Sequence, residues 1–303
     1  MNASAHLVLP LPADYAVDEV LAFHSRDSEA VSEQVDARGS ERRLRKAVVL
    51  DGVPVLLDVV LAPGQARCAV HADGPLSASA AAQAQAALRS ITGLRIDPAP
   101  FMAQAADDAL MAPLLLRHGP LRIVQSASVF EALTWAIIGQ QINLGFAIAL
   151  RRSLIRQAGV RHSSGMLCYP GPQEVARIDL DALLGQKFSG AKAATLLRVA
   201  RLVAEGALAL EHAPDADLAR TCAALLAIKG VGPWTVNYTL LRGYGHADCS
   251  LHGDVAIRTA LQRLLQEESK PDLARTEALL ARWAPQRTMA AAHLWKSLAA
   301  PAA

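Results

Sequence analysis

Aromatic side chains are scarce in this chain: Phe, Trp and Tyr make up 4% of its 303 residues. Each one that falls near a motif is therefore more informative than usual. Cysteine is scarce as well, with four residues, Cys68, Cys168, Cys222 and Cys249, far apart in sequence. No pair of them has metal-ligand spacing, which argues against a zinc or iron–sulfur site and for reduced thiols in a cytoplasmic protein. Long apolar runs are missing too. The most apolar window, Phe130 to Leu150, is interrupted by Glu131, Gln140, Gln141 and Asn143, so it reads as a buried helix rather than a membrane span. No N-terminal stretch joins a basic start to a long apolar run, and no signal peptide or membrane partner is expected.

What the chain has in quantity is alanine and leucine. Hydrophobic residues reach 52%, enough for sizeable cores and with a helical leaning. A length of 303 residues sets an expectation of two domains. The net charge of +2 is unevenly distributed: residues 1–120 hold 10 Lys/Arg against 14 Asp/Glu, or −4, and residues 121–303 hold 20 against 14, or +6. A basic back half suits a polyanionic partner.

Residues 1–115 read as a small α+β domain. His6–Leu11 is a short apolar strand ended by prolines, and Val17–His24 has helical spacing. Strands are expected at Arg43–Leu50, Val53–Leu61 and Ala66–His71, with turn signals at Asp51-Gly52 and Pro63-Gly64. Ser77–Ser90 reads as a serine-capped helix. The sum is an antiparallel sheet covered on one side by helices. The cluster Arg42, Arg43, Arg45 and Lys46 is open to two readings, a phosphate contact or a solvated strand edge, the second being preferred. Residues 91–128, with Pro98, Pro100, Pro113 and Pro120, form a connection with one or two brief helices. Residues 116–303 read as an all-α domain, so the fold class is mainly α. Its helices are expected at Phe130–Arg156, broken near Gly139, and at Glu174–Leu184, Ala191–Glu205, Ala216–Ile228, Trp234–Arg242, Val255–Gln266, Asp272–Trp283 and Thr288–Leu298.

The organising stretch is Leu226-Ala227-Ile228-Lys229-Gly230-Val231-Gly232-Pro233-Trp234-Thr235, a Gly-x-Gly corner between two helical runs. Such a corner lets the backbone reach positive φ and come close to a ligand. It also leaves the first amides of the next helix pointing outward, a small anion site. The same pattern fits an ordinary helical hairpin with glycine as its cap. Twenty residues past Trp234, Asp254 opens an apolar-periodic helix. Aspartate is a favoured N-cap, and the helix dipole favours its negative charge. That charge suits a group that stabilises a developing cation or orients a water.

Leu225 to Thr235 followed by Leu251-His252-Gly253-Asp254 resembles the helix–hairpin–helix, Gly/Pro-rich loop and Asp signature of the base-excision DNA glycosylases. Phe130 to Gln141 resembles the first long helix of that domain. Ala292-His293-Leu294-Trp295 resembles its closing helix, which carries an active-site tryptophan in the alkylation-repair branch. Leu7 to Pro12 and the strands after it resemble the N-terminal domain of that branch. The resemblance implies a monofunctional glycosylase, likened most to inducible DNA-3-methyladenine glycosylase II, that hydrolyses the N-glycosidic bond of alkylated bases of the 3-methyladenine and 7-methylguanine type. The implied partner is double-stranded DNA carrying a damaged base, bound by a monomer.

Site residues follow from the same resemblance. Lys229, Gly230, Val231 and Gly232 would hold a DNA phosphate, and Gln140 and Gln141 would contact DNA, Gln141 at the place of a leucine wedge. Asp254 would be the catalytic carboxylate, and Trp234, Tyr238 and Trp295 would wall the base pocket, with Trp283 as a competitor for the role of Trp295. No cofactor is implied, and no metal is held by side chains. A Na+ or K+ ion on hairpin carbonyls near Ile228 and Val231 would accompany the phosphate. Tryptophan at 234 stands where the strand-cleaving branch has a lysine nucleophile, so no lyase step is expected. Asp248 is an alternative carboxylate, and Lys192 and His252 are further candidate DNA contacts.

Overall fold

The computed structural model describes residues 3–38, 41–210 and 217–299. Five antiparallel strands form one sheet in the order β1-β5-β4-β3-β2, with β1 at Ala3–Pro10, β2 at Glu33–Asp36, β3 at Arg42–Leu50, β4 at Val53–Ala62 and β5 at Gln65–Ala72. The two expected turns are present. Asp51 and Gly52 have φ of 49° and 76° and pair Leu50 with Val53, while Gly64 at φ 75° turns β4 into β5. Two consecutive positive φ values give the turn the right-handed twist of its strands. One face of the sheet is covered by α1 (Val17–His24) and α2 (Ala78–Ile91). Ser77 caps α2 by accepting from Ala80 N–H at 2.9 Å.

β2 was not expected from the sequence. Its four residues, Glu33-Gln34-Val35-Asp36, are all half-buried, so they carry no apolar alternation to read. Because β2 is the edge, β3 lies inside the sheet, and the solvated-edge reading of the Arg42–Lys46 cluster is corrected. Arg43 pairs with Asp58 at 2.5 Å and Arg42 with Asp18 at 2.9 Å. Lys46 shares the period-two face of Leu44 and Val48, which packs toward the helices, and it is 1% exposed. Its Nζ donates to Glu33 and, at 2.8 Å, to Glu131. Lys46 is therefore out of reach of a phosphate.

Two brief helices follow, α3 (Ala99–Gln104) and α4 (Ala112–His118), as the prolines suggested. The run expected over Phe130–Arg156 breaks at Gly139, as anticipated, into α5 (Val129–Gly139) and α6 (Leu144–Ala158). Gln141 sits between them at φ 55°, and Asn143 caps α6 by accepting from Phe146 N–H at 2.9 Å. Ser128 caps α5 the same way at 3.1 Å. Glu174–Leu184 is also two helices, α7 (Pro172–Ala176) and α8 (Leu180–Gly185). Then come α9 (Gly190–Ala204), α10 (Leu218–Leu226), α11 (Pro233–Thr239) and a π-helical turn at Leu240–Tyr244. Ala216, the expected start of α10, lies outside the described residues. Helices α12 (Val255–Leu265), α13 (Leu273–Ala281) and α14 (Arg287–Ala299) complete the domain.

A large apolar core runs through all of the longer helices of this second part, with Leu133, Ile137, Leu154, Leu225 and Trp283 at its centre. Among the described residues no helix is long and apolar enough to cross a membrane. All four cysteines are unpaired, with only Cys222 half-exposed. The sheet and the helical part meet at a buried ion cluster. Glu131 of α5 accepts from Lys46 of β3 and, at 2.9 Å, from Arg151 of α6, while Glu33 of β2 lies 3.6 Å from Arg151. Two positive and two negative groups balance there, which burial demands.

Candidate active site

The Gly-x-Gly corner is the connection from α10 to α11. Only the first glycine is conformationally required. Gly230 has φ 96°, and a Cβ there would run into the Thr195 hydroxyl of α9. Gly232 has φ −109° and open space where a Cβ would point. The sequence expectation of positive φ thus holds at Gly230 and not at Gly232. What Gly232 contributes is an unobstructed approach to the corner. Gly232 is also the N-cap of α11, and no side chain caps that helix, so its first-turn amides are not claimed by a capping group. Lys229 and Gly230 are exposed.

The corner is held from behind by side chains on two other helices. Thr195 donates to the Lys229 carbonyl at 3.3 Å. Gln140, at the end of α5, donates to the Gly230 carbonyl and to Thr235 Oγ1, both at 2.9 Å. Gln140 therefore braces the hairpin. Val231 has a buried side chain, and its N–H closes the turn onto the Ile228 carbonyl at 3.0 Å. Each of these carbonyls keeps a second lone pair.

Asp254 is the N-cap of α12 and accepts from Ile257 N–H at 3.0 Å. Its carboxylate also receives the Trp234 indole N–H at 3.0 Å and the Trp295 indole N–H at 3.2 Å. Residues from α11, α12 and α14 thus converge on one carboxylate. Tyr238, one turn beyond Trp234 on α11, has its ring 5.1 Å from that of Trp234 and 6.2 Å from that of Trp295. The four residues singled out from the sequence form one constellation. Trp283 does not compete with Trp295, since it is 1% exposed within the helical core.

Several neighbours of this wall were not anticipated. Trp135 of α5 donates its indole N–H to Tyr238 Oη at 3.1 Å. The Arg242 guanidinium lies 5.8 Å from the Tyr238 ring, 5.7 Å from the Trp295 ring and 4.9 Å from the Phe23 ring. Arg26 lies 3.5 Å over Phe23. Phe23 and Arg26 come from α1 and the residues after it, so the first domain borders the site. No local sequence signal marks them, because they reach it only through the packing of the sheet against α5 and α6. Trp135 alone had a clue, as one of four tryptophans and part of the motif-bearing helix.

Asp248 and Lys192 among the remaining candidates are engaged by protein groups. Asp248 is held by a paired contact with Arg287 at 2.5 and 2.8 Å. That bond, ahead of the opposing effect of burial, keeps its carboxyl below the ordinary range, and the residue is not available as a second catalytic carboxylate. Lys192 donates from Nζ to the Ile138 carbonyl at 2.7 Å and so caps the end of α5. His252 bonds Ser250 Oγ at 3.0 Å. Gln141 is exposed at the α5–α6 break, and its left-handed backbone is a conformation that costs a non-glycine residue about 1 kcal/mol.

Comparison with known proteins agrees with this geometry. Residues 134–286 match the family described as HhH-GPD superfamily base excision DNA repair protein. A Bacillus subtilis protein provisionally named DNA-3-methyladenine glycosylase is 31% identical over 191 residues, which cover 62% of this chain and 65% of that protein. DNA-3-methyladenine glycosylase 2 of Escherichia coli is 28% identical over 177 residues, covering 58% of this chain and 60% of that protein. The chain spans less than two thirds of the length of these two relatives. The solved 3-methyladenine DNA glycosylase from Archaeoglobus fulgidus has the same fold, with a TM-score of 0.77 at 19% identity over 95% of this chain and 97% of that one. With a match that takes in half of its length and contains the hairpin, Asp254 and α11, the chain belongs to the HhH-GPD superfamily of base excision DNA repair proteins.

Proposed function

We propose that the protein is a DNA glycosylase that removes alkylated purines from duplex DNA by hydrolysis. The observation that carries this reading is the Asp254 carboxylate set beside three aromatic rings. A target base inside a duplex must be flipped out before it can be attacked. The backbone of the corner, exposed at Lys229 and Gly230 and uncapped at Gly232, would hold a phosphate without reading sequence, with a Na+ or K+ ion on hairpin carbonyls offsetting its charge. Gln141, exposed and held in the left-handed region, would fill the space the base leaves.

Alkylation at a ring nitrogen makes the base cationic. Trp234, Tyr238 and Trp295 would favour such a ring through their electron-rich faces, on the order of 0.5–2 kcal/mol for each good contact. A cationic base is also a good leaving group. The C1′–N bond breaks with its electron pair going to the base, which departs neutral. Asp254 stabilises the positive charge that develops on the sugar, and a water adds at C1′ and gives up a proton. The three donors on Asp254 fix where that negative charge sits, so little reorganisation is needed as the sugar becomes cationic.

No lyase step is included, since Trp234 stands where a Schiff-base lysine would be required. The test is release of 3-methyladenine and 7-methylguanine from methylated duplex DNA, run with and without borohydride. The expected result is free base, an intact strand at the abasic site and no trapped covalent adduct. Trapping of protein on DNA would overturn the hydrolytic assignment, and absence of base release would overturn the enzyme assignment. Gel filtration at micromolar concentration tests the accompanying reading that it acts as a monomer.

A further inference from the structure

We propose that Gln125 is a specificity residue that hydrogen-bonds the edge of the flipped base, an assignment that rests on the glycosylase reading above. Gln125 is 1% exposed, yet neither its Oε1 nor its Nε2 has a hydrogen-bond partner in the protein. It lines a cavity at the junction of the two domains together with Phe23, Arg26, Trp135, Tyr238 and Arg242. That cavity shares Tyr238 with the aromatic wall, and Arg242 lies beside the Tyr238 and Trp295 rings. A buried carboxamide with no partner costs folding free energy, so most such groups are satisfied. One that stays unsatisfied in a cavity lined by Phe23, Trp135 and Tyr238, and bordered by the Lys46–Glu131–Arg151 cluster, is poised for a ligand.

The backbone around Gln125 is pinned. Gln125 N–H donates to the Ser90 carbonyl at 2.9 Å, and Ser126 N–H to the Arg242 carbonyl at 2.8 Å. Arg242 returns a bond to the Val124 carbonyl, and Ala127 N–H donates to Glu131 at 3.0 Å. Four successive residues are thus tied to α2, to the π-helical turn and to α5. The carboxamide offers a donor beside an acceptor at a fixed place, which is the pattern that reads a purine edge. With nothing fixing which end is which, rotation by half a turn presents the reverse order. The same side chain then pairs with an adenine-type edge, amino donor beside ring acceptor, or a guanine-type edge, carbonyl acceptor beside ring N–H. Arg242 Nε, also buried and without a partner, adds a donor on the same wall. The geometry therefore assigns this cavity to purines of both kinds, read by hydrogen bonds as well as by stacking.

The test uses the full chain with Gln125→Leu and Gln125→Met, two apolar replacements of similar size. Three quantities are read: single-turnover release of 3-methyladenine and of 7-methylguanine, affinity for abasic-site duplex, and Tm. Loss of the hydrogen bonds lowers release of both bases roughly tenfold to a hundredfold. Abasic DNA carries no base, so its Kd stays within about twofold, and removing an unsatisfied buried amide leaves Tm equal or higher. Unchanged release by both variants, with wild type active, overturns the role of Gln125 and leaves the glycosylase reading standing. Parallel loss of Tm and abasic-site affinity overturns it too, because Gln125 would then be structural. If wild type releases neither base, the glycosylase reading itself fails, and this assignment with it.

Discussion

Gly230 and Gly232 are one residue apart and answer to different demands. At Gly230 both the positive φ and the Thr195 hydroxyl exclude a side chain, so Gly230→Ala is expected to cost about 1–3 kcal/mol of stability. At Gly232 the backbone is compatible with any residue and the Cβ position is open. Gly232→Ala is therefore expected to leave the denaturation midpoint unchanged or slightly raised, while weakening abasic-site DNA binding by crowding the phosphate. Urea titrations and Kd measurements on the two variants separate these effects. Equal loss of stability in both would contradict this division. The Gly-x-Gly spacing alone could not distinguish them, because the group that excludes a side chain at Gly230 is Thr195 of α9, remote in sequence. Trp234, Tyr238 and Asp254 were legible for the opposite reason: one helix turn and one N-cap position are local features. Trp295 could not be separated from Trp283 by sequence, since both lie on late helices and only packing decides which one faces Asp254. Gln125 and Arg242 left no local trace.

At the level of elements, the sheet is joined to α5 and α6 through charge. Lys46 and Glu131 are 1% and 4% exposed, and each depends on the other side of the junction. Burial alone would raise the Glu131 carboxyl, but Lys46 and Arg151 more than offset that and leave it below the ordinary range. Glu33 behaves alike and is held well below that range. Lys46→Met removes one partner and leaves two buried carboxylates to the one guanidinium of Arg151, at an expected cost of about 3–5 kcal/mol. A cost under about 1 kcal/mol in urea denaturation would show that the cluster is solvated instead. The alternation Leu44, Lys46, Val48 puts Lys46 on the apolar face, a signal that the solvated-edge reading of the basic cluster passed over. What the sequence could not supply was its partner strand, β2, which has no apolar rhythm of its own. Helix breaks divided: the one expected near Gly139 is where α5 ends, whereas the one between α7 and α8 falls at residues 177–179, where no glycine or proline marks it.

For the whole molecule, two sets of buried groups divide the pH dependence of stability. His293 on α14 is 0% exposed, and burial, then the neighbouring His118 and Lys296, push its pKa down to about 3. A depressed folded pKa means the unfolded chain binds the proton first. Stability is thus complete above about pH 6.5 and falls by about 2 kcal/mol by pH 5. His293→Phe is expected to flatten that window without changing the steeper loss below about pH 4.5, where the unfolded forms of Glu33 and Glu131 take up protons. Tm measured from pH 8 to 3.5 checks both windows, and an unaltered slope between pH 6.5 and 5 would contradict the assignment to His293. The chain's charge asymmetry and its mainly helical second part were readable from composition and periodicity. The way the first domain completes the site was not, because Phe23 and Arg26 are brought there by sheet-to-helix packing. All of these features converge on one carboxylate, and the most direct test is single-turnover release of 3-methyladenine by wild type and Asp254→Asn. Asparagine caps a helix about as well as aspartate, so the fold and the affinity for abasic-site DNA should survive. The expected result is a fall in release of roughly a hundredfold or more, with Tm and Kd close to wild type. Release at the wild-type rate by Asp254→Asn would contradict the account.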